Sequence, residues 1–340
     1  MRMRIAFFDT KPYERQAFQA LAGDYPGLSL DFREERLTPS TARLAEGYPV
    51  VCAFVNDDLR ARTLEILARG GTRLLAMRCA GFNNVDLRAA CGRMQVVRVP
   101  GYSPQAIAEF TLALLLCVNR RLHRAYTRVR EGNFSLDGLQ GMVLQGKTVG
   151  LVGTGRIGQA FARLMTGFGG RLLFSDPSPQ PRLAQETGGE YTTLEALLRQ
   201  SDVVSLHCPL TPENTHLICR DTLRQMKPGV LLLNTSRGKL VHTQALIQAL
   251  KAGKVGGAGL DVYEEEAGYF FEDRSSRIIR DDVLARLLTF PNVVLTSHQA
   301  FLTHEALESI ARTTLENIRE FQEGKPLSHS ICQECHLHLC

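Results

Sequence analysis

Gly153, Gly155 and Gly158 stand in the order G-x-G-x-x-G between an apolar run, Thr148 to Val152, and a segment of helical pattern. A second apolar run, Leu172 to Phe174, leads to Asp176. Strand, glycine turn, helix, strand and acid, in that order, can hold the pyrophosphate and ribose of a dinucleotide. The first glycine permits the tight turn, the second lets backbone approach the pyrophosphate, and the third lets helix and strand pack closely. The helix N-terminus adds unpaired amides and a partial positive charge. Asp176 would accept hydrogen bonds from a ribose diol. Its charge would repel a 2′-phosphate and no arginine follows before Arg182, so the expected cofactor is NAD rather than NADP. A bare glycine motif also occurs as an ordinary turn; agreement of the flanking elements separates the two here.

Three further strand candidates end in polar residues. Asn234-Thr235-Ser236-Arg237-Gly238 follows the run 230–233, Asp261-Val262-Tyr263-Glu264-Glu265-Glu266 follows 257–260, and Ser297-His298-Gln299 follows 293–296. In an open parallel sheet, ligands bind beyond the carboxyl ends of strands. Arginine can hold a carboxylate and a carbonyl through parallel hydrogen bonds. Histidine supplies a proton to a forming alkoxide, and a carboxylate bonded to an imidazole favours its charged form and fixes its tautomer. Beside a nicotinamide, such a set suits reduction of a 2-keto acid. Taken singly, Arg237 could be a surface ion-pair residue and His298 a structural histidine. Glu264, Glu265 and Glu266 read equally well as a solvated run, and spacing does not say which of them faces the histidine. His207 and Cys208 are adjacent on a strand, point to opposite faces, and so do not form a nucleophilic pair.

Short apolar runs at 3–8, 50–55, 74–79 and 96–99 alternate with helical patterns near 15–22 and 60–68, so the first hundred residues already read as α/β with parallel strands. A long helix is expected from Pro104 to about Arg130, with proline at its first turn. It is apolar enough to be buried at a junction or to serve an interface. Further strands are expected at 203–206, 230–233, 257–262 and 293–296, and helices at 243–251 and about 303–323. The stripe Leu307, Ile310, Ala311, Leu315, Ile318 and Phe321 on the last of these is core packing. The fold class is α/β: two Rossmann-like doubly wound parallel-sheet domains with a cleft between them. Residues 1–101 plus 299–340 are assigned to one domain and 102–298 to the nucleotide-binding one.

At 340 residues, 44% hydrophobic and 22% charged, the chain is an ordinary globular one, too long for a single core. The net charge of +5 is small, and Arg120, Arg121, Arg124, Arg128 and Arg130 read as a solvated helix face, so no nucleic acid is expected. No apolar stretch approaches a membrane span, and MRMRIAFFDTKP is not a secretory leader, so the expected compartment is the cytoplasm. Nine cysteines, an odd number, argue for a reducing environment. Cys332-Gln333-Glu334-Cys335-His336, with His338 and Cys340, matches C-x-x-C-H. Without an export signal it reads as a frayed terminus rich in soft ligands, and no metal is assigned.

NTSRG, LDVYEEE and SHQAF, joined by the glycine turn, resemble the signatures of the D-2-hydroxyacid dehydrogenase family in family order, over essentially the whole chain. FFDTKPYE (7–14), CAGFNNVD (79–86), GYSPQAIAE (101–109) and YFFEDRS (269–275) resemble its fermentative D-lactate dehydrogenase branch. By position, the resemblance implies that Arg237 binds and polarises the substrate, Glu266 supports the histidine, and His298 is the acid/base. It implies that the amides of Ala80 and Gly81 hold the substrate carboxylate, with Tyr102 in contact and Phe301 and Leu302 closing the pocket. For the cofactor it implies Arg156 and Ile157 under the pyrophosphate, Cys208, Pro209 and Asn214 lining the cleft, and Thr235, Ser236 and Asp261 near the nicotinamide. The implied reaction is reversible reduction of pyruvate to D-lactate by NADH, in a homo-oligomer, either dimer or tetramer. Other small 2-keto acids (hydroxypyruvate, glyoxylate, branched-chain) and an NAD-sensing corepressor role are the alternatives.

Overall fold

The computed structural model describes residues 2–331 and contains two compact units. One comprises Met1–Ser103 and the chain from Leu302 onward; the other is Pro104–Phe301.

The first unit is built on a five-stranded parallel sheet. Its strands are β1 (Met3–Phe7), β2 (Leu28–Phe32), β3 (Val50–Ala53), β4 (Leu74–Met77) and β5 (Gln95–Val97), in the order β2-β1-β3-β4-β5. Every residue of β3 and β4 is buried, the mark of strands covered on both faces. β2 escapes the sequence reading because it is an edge strand whose Ser29 and Asp31 break the apolar run. The helix His304–Gln322 starts at an N-cap in which Thr303 Oγ1 accepts from the Ala306 amide, 3.2 Å. Its Ala311, Leu315 and Ile318 join Ile5, Phe7, Phe18, Val50 and Leu74 in one core. Beyond it, Ile331 N donates to Val96 O and Arg98 N to His329 O, so the closing segment pairs along β5.

The carboxyl end of this sheet holds a buried charge cluster that the sequence did not advertise. Arg78, just past β4, donates from Nε to Glu14 Oε1 at 2.7 Å and from Nη2 to Asp9 O at 2.9 Å, and its guanidinium lies over the Phe54 ring. Asp57 accepts from the amides of Leu37 and Phe54, each at 2.6 Å, and burial pushes its carboxyl up to about 6.

The second unit carries seven parallel strands: β6 (Thr148–Val152), β7 (Arg171–Ser175), β8 (Glu190–Tyr191), β9 (Val203–Leu206), β10 (Val230–Asn234), β11 (Val255–Leu260) and β12 (Val293–Leu295). Their order, β12-β11-β10-β9-β6-β7-β8, reverses between β6 and β9, which is where a doubly wound sheet binds its ligand. The helix Pro104–Asn119 packs on β10 and β11 with Ala108, Leu114, Leu115 and Val118 in the core. The expected single helix to Arg130 is in fact two. Arg121 adopts φ +50°, and a separate helix, Leu122–Arg130, follows. The apolar surface of Pro104–Asn119 is thus spent inside the unit. Leu122, Tyr126, Val129, Phe134, Leu136 and Val143 after the break are the exposed ones.

Among the described residues no helix is long and apolar enough to cross a membrane, and no group of three or more His, Cys, Asp or Glu is placed to hold a metal. Cys332, Cys335, His336, His338 and Cys340 lie outside the described residues.

Candidate active site

The glycine turn between β6 and the helix Arg156–Thr166 has little freedom. Gly153 has φ +96°, and a Cβ on it would sit 2.5 Å from Cys208 N. A Cβ on Gly158 would sit 2.2 Å from Gly153 O. Gly155, the residue capping the helix, is different: a Cβ there would meet nothing within 4 Å. That open space above exposed backbone suits a pyrophosphate, and the Arg156 and Ile157 positions open the helix beneath it. Asp176, at the tip of β7, accepts from Thr154 N at 2.6 Å and Ser178 N at 2.8 Å, so it is pinned to the turn and half-exposed for a ribose. The donor set and the space therefore fit a dinucleotide.

Across the switch point, the tip of β9 places Cys208 and Pro209. Asn214 braces their loop, accepting from Thr211 N and donating to Pro209 O, both at 2.7 Å. Ser236 Oγ donates to Cys208 O at 2.6 Å, and Thr235 Oγ1 lies 2.8 Å from Thr111 Oγ1 on the helix Pro104–Asn119. His207 turns the other way: its ring lies against Phe161 and its Nε2 is 2.9 Å from Ser205 Oγ. Burial drives His207 down to about 3 and Cys208 up to about 11, so neither can activate the other.

The three strand tips bring Arg237, Glu266 and His298 into one unit. Asn234, ending β10, accepts from Ser236 N at 3.0 Å and donates to Arg237 O at 2.9 Å, folding the NTSRG loop back on itself. The Arg237 guanidinium is half-buried and donates to Ser236 O at 2.8 Å. Among the described residues it has no acidic partner, which removes the ion-pair explanation of this arginine.

His298 sits past β12 in the left-handed region, φ +57°, a conformation that costs a non-glycine residue on the order of 1–3 kcal/mol and has to be held by its surroundings. Asp261 holds it. His298 N donates to Asp261 O at 2.7 Å. The fully buried Asp261 carboxylate accepts from Thr296 Oγ1 (2.5 Å), Gln299 N (2.9 Å) and Ala300 N (2.8 Å). Burial raises the Asp261 carboxyl above its ordinary range, and these donors work against that rise.

The imidazole that results is aimed through Nδ1 at Glu266 Oε1, 2.8 Å away, each side chain about 20% exposed. Glu266 Oε2 accepts from Tyr263 N at 3.0 Å. Nε2 of His298 has no partner among the described residues, and the Phe271 ring lies 5.9 Å from the imidazole. A carboxylate on one ring nitrogen and a vacant second nitrogen make a proton donor and acceptor of fixed orientation.

Residues 112–300 match the model of the D-isomer specific 2-hydroxyacid dehydrogenase NAD-binding domain. The chain belongs to that family. It is 50% identical to the D-lactate dehydrogenase of Escherichia coli, over 97% of this chain and 100% of that one. It is 51% identical to a 2-hydroxyacid dehydrogenase homolog of Haemophilus influenzae, over 95% of this chain and 97% of that one. Among solved structures, the pyruvate reductase of Chlamydomonas reinhardtii superposes with TM-score 0.91 at 42% identity, covering 96% of this chain and 98% of the other.

The three glutamates of this dehydrogenase, inseparable by spacing, take three different partners. Glu266 has His298, Glu265 is exposed toward Lys239 at 3.5 Å, and Glu264 lies 2.6 Å from His216 Nε2 and accepts from Thr243 N at 3.0 Å. Sequence reasoning missed Gly238 as a functional position. A Cβ there would sit 1.9 Å from Tyr263 O, so the arginine loop and the glutamate loop touch backbone to backbone. Its place directly after Arg237 was the available signal.

In the first unit, Ala80 O accepts from Arg98 Nη1 at 3.1 Å, and Cys79 Sγ donates to Gly81 O at 3.2 Å. Among the described residues the amides of Ala80 and Gly81 have no acceptor. Tyr102 is half-buried beyond β5. Phe301 is buried and Leu302 exposed.

Proposed function

We propose that this NAD-dependent 2-keto acid reductase acts on pyruvate, giving D-lactate and NAD⁺ reversibly. NADH, when bound, supplies the hydride. Arg237 holds the substrate and stabilises charge growing on its carbonyl oxygen through a guanidinium not already spent on an acid. His298 donates the proton from Nε2, with Glu266 keeping the ring oriented. The free amides of Ala80 and Gly81 take the substrate carboxylate, with Tyr102 beside it. Arg156, Ile157 and Asp176 meet the pyrophosphate and ribose. Cys208, Pro209, Asn214, Thr235, Ser236 and Asp261 shape the nicotinamide side. The Pro104–Phe301 unit thus serves NAD and the other serves the substrate.

The observation that supports this reading most is the Glu266–His298 pair, with Nε2 vacant and Arg237 free of any acid among the described residues. Pyruvate over other 2-keto acids is favoured by the names of close relatives, one a D-lactate dehydrogenase and one a pyruvate reductase. The test is NADH oxidation at 340 nm across pyruvate, hydroxypyruvate, glyoxylate and branched-chain 2-keto acids, then chiral analysis of the lactate. A faster rate with another acid, or L-lactate as product, would refute it. The working environment is the cytoplasm. The protein is a homo-oligomer joined through the exposed apolar residues 122–143, and a monomer by sedimentation would count against that interface.

A further inference from the structure

Reduction by this site needs the Arg237 fork and the His298 nitrogen on one oxygen, a geometry that tolerates errors of only about 0.5 Å. The sheet fixes backbone as far as Asn234, Leu260 and Leu295. Arg237 and Glu266 both lie in loops beyond those points, so something other than the sheet must set their separation.

The contacts between the two loops are few. Tyr263 O rests on Gly238, a van der Waals contact. Lys239 and Glu265 form an exposed pair, of a kind worth little. Among the described residues the polar links that remain are Thr243 N, which donates to Glu264 Oε2, and His216. Its main-chain N–H donates to Lys239 O at 2.8 Å, two residues past Arg237, while its ring Nε2 lies 2.6 Å from Glu264 Oε1, two residues before Glu266. His216 is itself held in the left-handed region, φ +58°. It begins a short parallel pairing in which Ile218 N donates to Leu240 O and His242 N to Ile218 O. Glu264 is clamped on its other oxygen by Thr243 N, at the start of the helix Thr243–Lys251, and its side chain is only 19% exposed. His242, whose Nδ1 accepts from Ala245 N, packs edge-on against His216 at 4.7 Å. Burial works against the charge on Glu264, yet the bonds from Thr243 and His216 hold its carboxyl below the ordinary range.

We propose that His216 and Glu264 are positioning residues, a tie that joins the substrate-arginine loop to the loop of the histidine's carboxylate and so sets Arg237 against His298. The proposal rests on the catalytic roles given above, but part of its test does not depend on turnover. Without the tie the two loops keep their strands and lose their mutual register, so chemistry suffers more than folding or cofactor binding.

The experiment compares wild type with His216→Ala, Glu264→Ala, the double variant and His216→Gln, whose amide can still donate to Glu264. Read out are kcat and KM for the 2-keto acid, NADH affinity by fluorescence, melting temperature, and the His298 ring nitrogens by ¹H–¹⁵N NMR, assigned with His298→Gln. The expected result is a fall in kcat of about tenfold to a hundredfold in each alanine variant, with NADH affinity held within about twofold. The double variant should be no worse than the poorer single one, as coupled residues behave, and His216→Gln should recover most of the loss. The His298 Nδ1 resonance should move in both alanine variants. Unchanged kcat with a lowered melting temperature, or a His298 resonance that stays in place, would overturn the tie. Lack of wild-type turnover on any 2-keto acid would instead overturn the function, while the resonance would still decide the tie.

Discussion

Gly238→Ala is the sharpest probe of how the site is assembled. A Cβ at this position would lie 1.9 Å from Tyr263 O, 2.2 Å from Tyr263 C and 2.7 Å from Glu264 N. All three are main-chain atoms, so no side-chain rotation relieves the clash. Ordinary contact begins near 3.4 Å, which leaves about 1.5 Å to be made up by moving one loop from the other. Gly238 has no left-handed φ, so the penalty is steric alone. Even if the loops share the movement, Arg237 is displaced from the Glu266–His298 pair by most of an ångström. Misplacement on that scale costs on the order of 10²-fold in rate, equivalent to about 2.7 kcal/mol of transition-state stabilisation. The assay is steady-state kcat/KM with the keto acid, beside NADH affinity and melting temperature. Near-normal kcat/KM in a folded Gly238→Ala protein would refute the idea that this backbone contact sets the catalytic geometry.

Glu266→Gln should cut kcat for keto-acid reduction by about tenfold or more, because the imidazole loses the carboxylate that orients it. An unchanged kcat in the folded variant would separate Glu266 from the histidine's function. Arg237→Lys should lose about 10²-fold in kcat/KM, since an ammonium cannot reproduce the fork, and normal turnover would take Arg237 out of the substrate site. Alkylation followed by mass spectrometry near pH 7.5 should label Cys219 before Cys208. The Thr222 amide holds the Cys219 thiol below its ordinary value, while burial lifts Cys208 to about 11. The reverse order would contradict the environments described for both thiols.

The legible parts of this chain were those where residue type and backbone geometry coincide. The glycine turn could be read because each of its glycines sits where the path demands one or leaves room for a ligand. Arg237 and His298 stood out in the sequence because each closely follows an apolar run. The register within Glu264-Glu265-Glu266 could not be read from spacing, since choosing among adjacent acids depends on a loop pinned by His216, Thr243 and Asp281, all far away in sequence. The edge strand β2 was hidden by its polar residues. The helix break at Arg121, where φ is +50°, was hidden because arginine carries no turn signature. Arg78 and Glu14 were hidden because they stand 64 residues apart, and their pairing at 2.7 Å shows only once β3 joins β1 and β4 in one sheet.

The core of the first unit is completed by a helix that the ribosome makes only after the whole of the second unit. Ile5, Phe7, Val50 and Leu74 wait for Ala311, Leu315 and Ile318 until about 200 residues of the other unit have been synthesised, an interval on the order of 10–40 s. The opening segment therefore emerges with a greasy sheet face uncovered, while the contiguous 104–301 segment can settle as soon as it is released. Translation itself thus orders maturation: the cofactor-handling unit first, the other only once the helix 304–322 has emerged, with chaperone capture bearing on the latter.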